Sequence, residues 1–169
     1  MAPFLAARFG VPWADLDAEI VRAAGRPIGA LFAAEGEAGF RAREHGALRI
    51  AFAAGGGLVL ACGGGVVAHA PSREALRGGA TVVWLRVAPA TAASRLGRDG
   101  LAARPLLAAP NGAGTEEAGA AALASLLAAR APLYAAAADL EVETDGRDAA
   151  ACVEAAEAAL RERWANFGS

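Results

Sequence analysis

Two aspartates, Asp15 and Asp17, are the first residues along the chain that could do chemistry together. They close a short apolar segment, residues 11–17, which predicts a β-strand. Side chains two apart in a strand share a face, so both carboxylates would point toward the carboxyl edge of the sheet. One could hold a metal ion through water, and the other could accept a hydrogen bond from a substrate hydroxyl. The alternative is a pair of solvated aspartates that cap a helix predicted from Ala18.

Two of three arginines in the motifs, Arg41 and Arg104, are placed where they could bind an anion. Arg41 lies three residues before Glu44 on a predicted helix, and such a pair can hold a guanidinium ready to bind a carboxylate. An exposed, salt-bridged helix face is the alternative. Arg104 lies in a long connection rich in Gly, Pro and Ala, residues 97–115, which predicts a lid that could close over phosphate. Arg130 ends a helical segment and could simply be a cationic last-turn residue.

Consecutive glycines follow a predicted buried strand at Gly63, Gly64 and Gly65. Glycines let the backbone approach a ligand closely and present N–H groups to it. A tight strand–helix turn is the alternative. Cys62 and Cys152 have no metal-like partners nearby in the sequence, and we expect both to be buried free thiols in a reducing compartment.

The overall composition excludes several functions. The 169 residues carry a net charge of −2, too little for electrostatic capture of nucleic acid or an anionic membrane. All 16 basic residues are arginine, which excludes Schiff-base chemistry and a phosphate-binding lysine for this chain as written. The start shows no signal-peptide pattern, so we expect a cytoplasmic protein. The alanine-rich stretch Gly119–Ala138 has the length of a membrane span, but Arg130 and Pro132 favour a soluble helix.

The elements that must position these residues alternate along the chain. Strands are predicted at 11–17, 58–62, 81–87 and 140–144, the middle two buried on both faces. Helices are predicted at 18–24, 27–34, 37–53, 72–78, 91–96, 116–127 and 149–164. This alternation predicts a single α/β domain over residues 1–169 with a parallel sheet.

Taken in order, these motifs resemble one family, the shikimate kinases. That family carries D-x-D, G-E-x-x-F-R-x-x-E, G-G-G, R-P-L-L and R-x-P-L-Y. This chain has them at residues 15–17, 36–44, 63–65, 104–107 and 130–134. The resemblance extends from about Leu5 to the end of the chain.

The resemblance implies a three-layer α/β/α P-loop kinase fold with a parallel sheet. The implied reaction is phosphorylation of the shikimate 3-hydroxyl by ATP with Mg²⁺, in aromatic amino-acid biosynthesis. It implies a monomer that acts on shikimate and ATP, with no nucleic-acid or membrane partner. The implied substrate-binding residues are Asp17, Arg41, Gly64 and Arg130.

The other roles that the resemblance implies fall mostly on the ATP side. Asp17 and Arg104 are the implied catalytic residues, and Arg104 also binds the ATP phosphates. Asp15 lies near the magnesium, often through water, and Arg147 lies near the adenine.

The chain departs from the family pattern at its start. Residues 5–10 match the end of the helix that follows the P-loop, and no G-x-x-G-x-G-K-[ST] motif is present in the printed sequence. One hypothesis is that Met1 is a misplaced translation start. The other is a truncated, non-catalytic relative that only binds shikimate. Under both, the chain as printed is expected to lack turnover and the first, central strand of the sheet.

Overall fold

The computed structural model describes residues 1–102 and 116–167. The four predicted strands are present but shorter: β1 Trp13–Asp15, β2 Val59–Ala61, β3 Val83–Arg86 and β4 Leu140–Glu143. The helices are α1 Ala2–Phe9, α2 Leu16–Ala24, α3 Ile28–Ala53, α4 Ala70–Gly79, α5 Pro89–Ala102, α6 Glu116–Ala137 and α7 Ala149–Phe167, with a short 3₁₀ turn at Val66–Ala68. Strands and helices alternate as predicted.

The strands form two parallel pairs, β1 with β2 and β3 with β4. Trp13 is in register with Val59, and Val83 with Leu140. In the described part of the chain no ladder joins β2 to β3. This is the interruption expected for a sheet that lacks its central strand.

A cavity of about 1440 Å³ lies at this interruption, lined by both β2 and β3. Leu58 and Leu85, beside the cavity, are 36% and 40% exposed. The prediction that these two strands are buried on both faces is therefore wrong. Parallel strands are buried when neighbours and helices cover them, and here the neighbour on one side is absent from the described residues.

Glycines set the ends and bends of the helices that reach the site. Gly10 and Gly25 end α1 and α2 in the left-handed conformation. Gly36 interrupts α3 with φ 67° and ψ −176°, where the sequence predicted a break between two helices. The main core lies under α2 and α3 and includes Leu16, Leu31 and Leu48.

Two boundaries differ from the prediction in ways that affect the site. The first strand ends at Asp15, and Asp17 belongs to the first turn of α2. The two carboxylates therefore do not share a strand face. α6 continues through Pro132 to Ala137 instead of ending at residue 127. Most of the predicted lid, including Arg104, lies outside the described residues.

α6 is the one helix in the described ranges that is long and apolar enough to cross a membrane, judged by length and composition alone. Only 11% of its most apolar window is buried. Its residues Leu133 and Ala137 nevertheless pack on the main core.

Candidate functional site

Arg41 is the buried cation of the site. It is 7% exposed, and its Nη1 donates to Glu44 at 2.6 Å while its Nη2 donates to Glu37 at 3.3 Å. Both partners come from one face of α3, at i+3 and i−4. The predicted Arg41–Glu44 pair is thus confirmed, and the alternative of an exposed helix face is wrong. The Nε of Arg41 is buried and has no hydrogen-bond partner in the described part of the chain.

Glu44 is 1% exposed, and its ion pair with Arg41 compensates for the burial of its carboxylate. Burial raises the pKa of the Glu44 carboxyl, and the hydrogen bond and charge of Arg41 oppose that rise. The charges of Asp17 and Arg130 also act on Glu44. Side chains from α2, α3 and α6 therefore meet at this point.

The three glycines after β2 lie against this cluster, and at Gly64 and Gly65 a side chain would not fit without displacing a neighbour. A Cβ on Gly65 would lie 2.3 Å from Nη2 of Arg41. A Cβ on Gly64 would lie 2.7 Å from the Tyr134 hydroxyl, and one on Gly63 would lie 3.3 Å from a carboxylate oxygen of Asp17. The glycine turn thus brings backbone into contact with side chains from three helices, which is more than a tight turn requires.

α6 contributes Arg130 and Tyr134. The Tyr134 hydroxyl donates to the carbonyl oxygen of Gly64 at 2.7 Å, and the side chain of Arg130, one turn earlier on α6, is close enough to oppose the rise in pKa that burial causes at that hydroxyl. Arg130 is half-buried. It is therefore not an isolated last-turn cation, and the predicted residues Asp17, Arg41, Gly64 and Arg130 converge on one cluster.

Asp15 has a local role that matches the capping alternative. It is the N-cap of α2, and its Oδ1 accepts from the N–H of Ala18 at 3.0 Å. Asp17, in the first turn of the helix, is half-buried and reaches Gly63. The two aspartates are thus divided between holding the helix start and facing the glycine turn.

The prediction that both cysteines are buried is wrong for Cys62. Its side chain is exposed and lines the cavity beside β2, whereas Cys152 is buried as predicted. The surrounding protein desolvates the thiol even though it faces an open cavity. Desolvation, with smaller contributions from Glu44, Asp17 and Asp15, raises the pKa of Cys62 to about 12. The thiol is therefore protonated at neutral pH and a poor nucleophile.

A family model described as shikimate kinase matches residues 1–161. The chain belongs to the shikimate kinase family. A shikimate kinase of Symbiobacterium thermophilum is 44% identical over 143 residues, which are 85% of this chain and 78% of that protein. A shikimate kinase of Mycobacterium avium is 42% identical over 149 residues, 88% of this chain and 78% of that protein.

Solved structures give the same assignment. Shikimate kinase from Acinetobacter baumannii, determined in complex with shikimate, has a TM-score of 0.82 and is 34% identical, covering 98% of this chain and 85% of that one. Shikimate kinase from Bacteroides thetaiotaomicron has a TM-score of 0.78 at 26% identity, covering 96% of this chain and 88% of that one. Shikimate kinases are phosphotransferases that use ATP, generally with Mg²⁺. The fold is that of the P-loop kinases, as the motifs implied.

For the ATP half of the site, the described residues include Asp15 and Arg147 among those predicted. Arg104 lies outside the described residues. Arg147 is exposed in the turn after β4, where its backbone N–H donates to the Thr144 carbonyl at 3.3 Å. Among the contacts of the described residues, none joins Arg147 to the cluster around Arg41.

Sequence reasoning missed three residues of this kinase site. Glu37 is the second partner of Arg41, and its position one turn before Arg41 could have indicated this. Tyr134 belongs to the R-x-P-L-Y motif, but the sequence indicated no role for it. Trp84 stacks on Tyr134 with ring centroids 5.3 Å apart, a contact between β3 and α6 that no local pattern indicates.

Proposed function

We propose that the cluster around Arg41 binds shikimate, and that it orients the 3-hydroxyl for phosphoryl transfer from ATP. The observation that carries this is the buried guanidinium of Arg41, whose Nε has no partner among the described residues. Buried donors without partners are rare because each costs about 1–3 kcal/mol. A ligand carboxylate would satisfy this one.

Arg41 and Arg130 are the proposed carboxylate clamp. Arg41 is preorganised by Glu44 and Glu37, and Arg130 by its contact with Tyr134. Arginine suits this task because its planar fork can donate two parallel hydrogen bonds to one carboxylate. The glycine turn brings its backbone close to these side chains, so its N–H groups could also face the ligand.

Asp17 is the proposed partner of the substrate hydroxyls. Its carboxylate reaches the glycine turn, and its charge acts on Glu44 next to Arg41. A carboxylate can accept the proton of a hydroxyl as that oxygen attacks the γ-phosphorus. This gives Asp17 its proposed catalytic role beside its binding role.

For the ATP half we propose Arg104 on the phosphates, Arg147 near the adenine and Asp15 near Mg²⁺. Asp15 fits such a site through its donor chemistry, since one carboxylate oxygen caps α2 and the carboxylate is exposed. Mg²⁺ commonly keeps several waters and takes one or two carboxylates together with substrate phosphates. When bound, the ion would neutralise charge on the ATP phosphates.

A second function, shikimate binding without turnover, is favoured by one observation. The 169 residues contain no lysine and no G-x-x-G-x-G-K-[ST] motif. Phosphoryl transfer depends on such a phosphate-binding element to position ATP. Both functions share the shikimate-binding half of the site.

Titration of the 169-residue protein with shikimate tests the shared half. Arg130→Met removes one arm of the clamp, and Arg41→Lys keeps the charge that Glu44 needs but loses the planar fork. We expect each to weaken binding by at least about tenfold, as for a lost charge-assisted hydrogen bond. Arg49→Met, at an exposed position on the same helix as Arg41, is the matched control and should bind as the unmodified protein does. Undetectable shikimate binding by the unmodified protein, or full affinity in Arg130→Met, would refute the proposal.

A further inference from the structure

Tyr134 connects two parts of the proposed shikimate site that are far apart in sequence. Its hydroxyl donates to the Gly64 carbonyl at 2.7 Å, across 70 residues of chain. Arg130 lies one turn earlier on α6, at the i,i+4 spacing that places two side chains side by side, and its side chain acts on the same hydroxyl. A hydroxyl has one proton to donate and two acceptor sites, so it can donate to Gly64 and accept from Arg130 at once. Tyr134 thus connects Arg130 to the glycine turn.

The ring of Tyr134 is fixed independently of its hydroxyl. It stacks on Trp84 of β3, with an angle of 26° between the rings. Trp84 in turn lies under the guanidinium of Arg86, 5.4 Å from the ring centroid. The stacking holds the hydroxyl at a set position, and a Cβ on Gly64 would reach within 2.7 Å of it.

The hydroxyl also keeps its proton. Burial raises the pKa of Tyr134, and the positive charges of Arg130 and Arg41 only partly oppose this. A protonated phenol is required, because a phenolate could not donate to the Gly64 carbonyl. The direction of that hydrogen bond is therefore stable at neutral pH.

We propose that Tyr134 is a positioning residue that holds Arg130 in register with the glycine turn and so sets the preference of the site for a carboxylate ligand. The inference rests on the proposed shikimate site. Tyr134 acts through Arg130, and the carboxylate of the ligand is the group that Arg130 meets. Loss of the hydroxyl should therefore affect ligands with a carboxylate more than neutral ones. A tyrosine that merely packs would affect both equally.

The test compares shikimate with its methyl ester, which keeps the ring and hydroxyls but lacks the negative charge. Dissociation constants of both are measured for the unmodified protein, Tyr134→Phe, Arg130→Met and the double variant. Phenylalanine keeps the ring on Trp84, which near-ultraviolet circular dichroism checks. We expect Tyr134→Phe to weaken shikimate binding about five- to tenfold and ester binding less than about twofold. Adding it to Arg130→Met should change shikimate binding less than about twofold, because the residue through which it acts is gone.

The outcomes separate this inference from the proposed function. Equal losses for acid and ester, or additive losses in the double variant, would overturn the positioning role and leave the shikimate site standing. If the unmodified protein bound no shikimate, the proposed site and this role would both be refuted. Tyr134→Leu removes the stacking as well, and we expect it to weaken both ligands and lower the melting temperature.

Discussion

The guanidinium of Arg41 packs so closely on the backbone of Gly65 that a side chain at residue 65 would not fit. A methyl group at residue 65 would lie 2.3–2.6 Å from three atoms of the guanidinium. The guanidinium cannot move freely, because it is buried and bound to Glu44. We therefore expect Gly65→Ala to cost about 1–3 kcal/mol of stability by overpacking. Displacement of Arg41 should also weaken shikimate binding by at least about tenfold. Urea unfolding and ligand titration measure the two effects.

Gly78 is the matched control for that substitution. It lies near the end of α4, and a Cβ there would meet nothing within 4 Å. Alanine is the better helix former by up to about 1 kcal/mol, so Gly78→Ala should leave stability unchanged or raise it. A Gly65→Ala protein that was as stable as Gly78→Ala and bound shikimate normally would show that Arg41 is not held as described.

His69 gives the site region a dependence on pH. Burial lowers the pKa of His69, and the nearby His45, Arg41 and Arg73 lower it further. Its Nδ1 lies 3.0 Å from Oγ of Ser72, and its ring meets that of His45 at 5.7 Å. The folded protein thus binds this proton less tightly than the unfolded chain, whose histidine titrates near 6.5. The free energy of unfolding should therefore decrease as the pH falls below about 6.5 and through the lowered pKa.

Comparison with His69→Gln isolates this effect from other titrations. The difference in unfolding free energy between the unmodified protein and the variant should be constant above about pH 7. As the pH falls toward about 5, the unmodified protein should lose unfolding free energy relative to the variant. A difference that does not change with pH would mean that His69 has an ordinary pKa in the folded protein.

At the scale of elements, the start of α2 decides where Asp17 points. Asp15 caps this helix, and Asp17 lies in its first turn. Asp15→Ala should cost about 1 kcal/mol and weaken shikimate binding, because the turn that carries Asp17 loses its anchor. Asp15→Asn should preserve both, since asparagine caps as well as aspartate. Asp148 accepts from the Ala151 N–H at 2.8 Å at the start of α7, so Asp148→Ala should cost similar stability without affecting shikimate. Equal binding losses in both alanine variants would contradict this.

The sequence predicts most elements because their signals are local. Four apolar runs bounded by glycine, proline or charge form four strands, which make two parallel pairs. The break at Gly36 and the pairing of Arg41 with Glu44 also follow from near-neighbour spacing. The predicted end of α6, at residue 127, was wrong, because the helix continues through Pro132 to Ala137. Tertiary packing of Leu133 and Ala137 on the core keeps this helix going instead.

The features that could not be predicted depend on contacts distant in sequence. Burial of Arg41 requires the glycine turn, which follows it by more than 20 residues. The stacking of Trp84 on Tyr134 joins a strand to a helix across 50 residues. Cys62 is exposed because it lines the cavity between β2 and β3, and those strands are distant in sequence. The family motifs identified which residues converge, but not how Tyr134 joins them.

At the scale of the whole molecule, the proposed shikimate site lies in a chain whose 169 residues include no lysine. We expect the 169-residue protein to bind shikimate and to release no measurable ADP with shikimate, ATP and Mg²⁺ in a coupled assay. Turnover at about 1–100 s⁻¹, as kinases show, would contradict this. A matched chain extended by the genomic codons before Met1 decides between the two hypotheses. An in-frame G-x-x-G-x-G-K-[ST] motif that restores turnover supports the enzyme, and an in-frame stop codon supports a binding protein.

The sheet itself provides the last test, because the edges of β2 and β3 beside the cavity pair with no other strand in the described part of the chain. The carbonyls of Val82 and Arg86 accept hydrogen bonds from residues on or beside β4. Successive residues of a strand direct their backbone N–H and C=O groups to opposite sides, so those of Leu85, next to Arg86, point toward the cavity. On β2, the N–H of Val59 donates to the carbonyl oxygen of Pro12 beside β1. By the same alternation, the backbone groups of Leu60 point away from β1 and toward the cavity.

Removing one strand from a sheet leaves a slot of about 10 Å, wide enough for water to reach these groups and the apolar side chains around them. Hydration of that surface opposes the hydrophobic driving force that holds the two halves together. We therefore expect the isolated chain in solution to close the slot, fill it with another segment or chain, or lose order there. Amide hydrogen exchange distinguishes the outcomes. Closure or filling protects Leu60 and Leu85 together with their neighbours Ala61 and Trp84, and disorder protects none of them. Protection that alternates, with Ala61 and Trp84 slow and Leu60 and Leu85 fast, in a protein that melts cooperatively, would show that an open slot is stable and that this energetic argument is wrong.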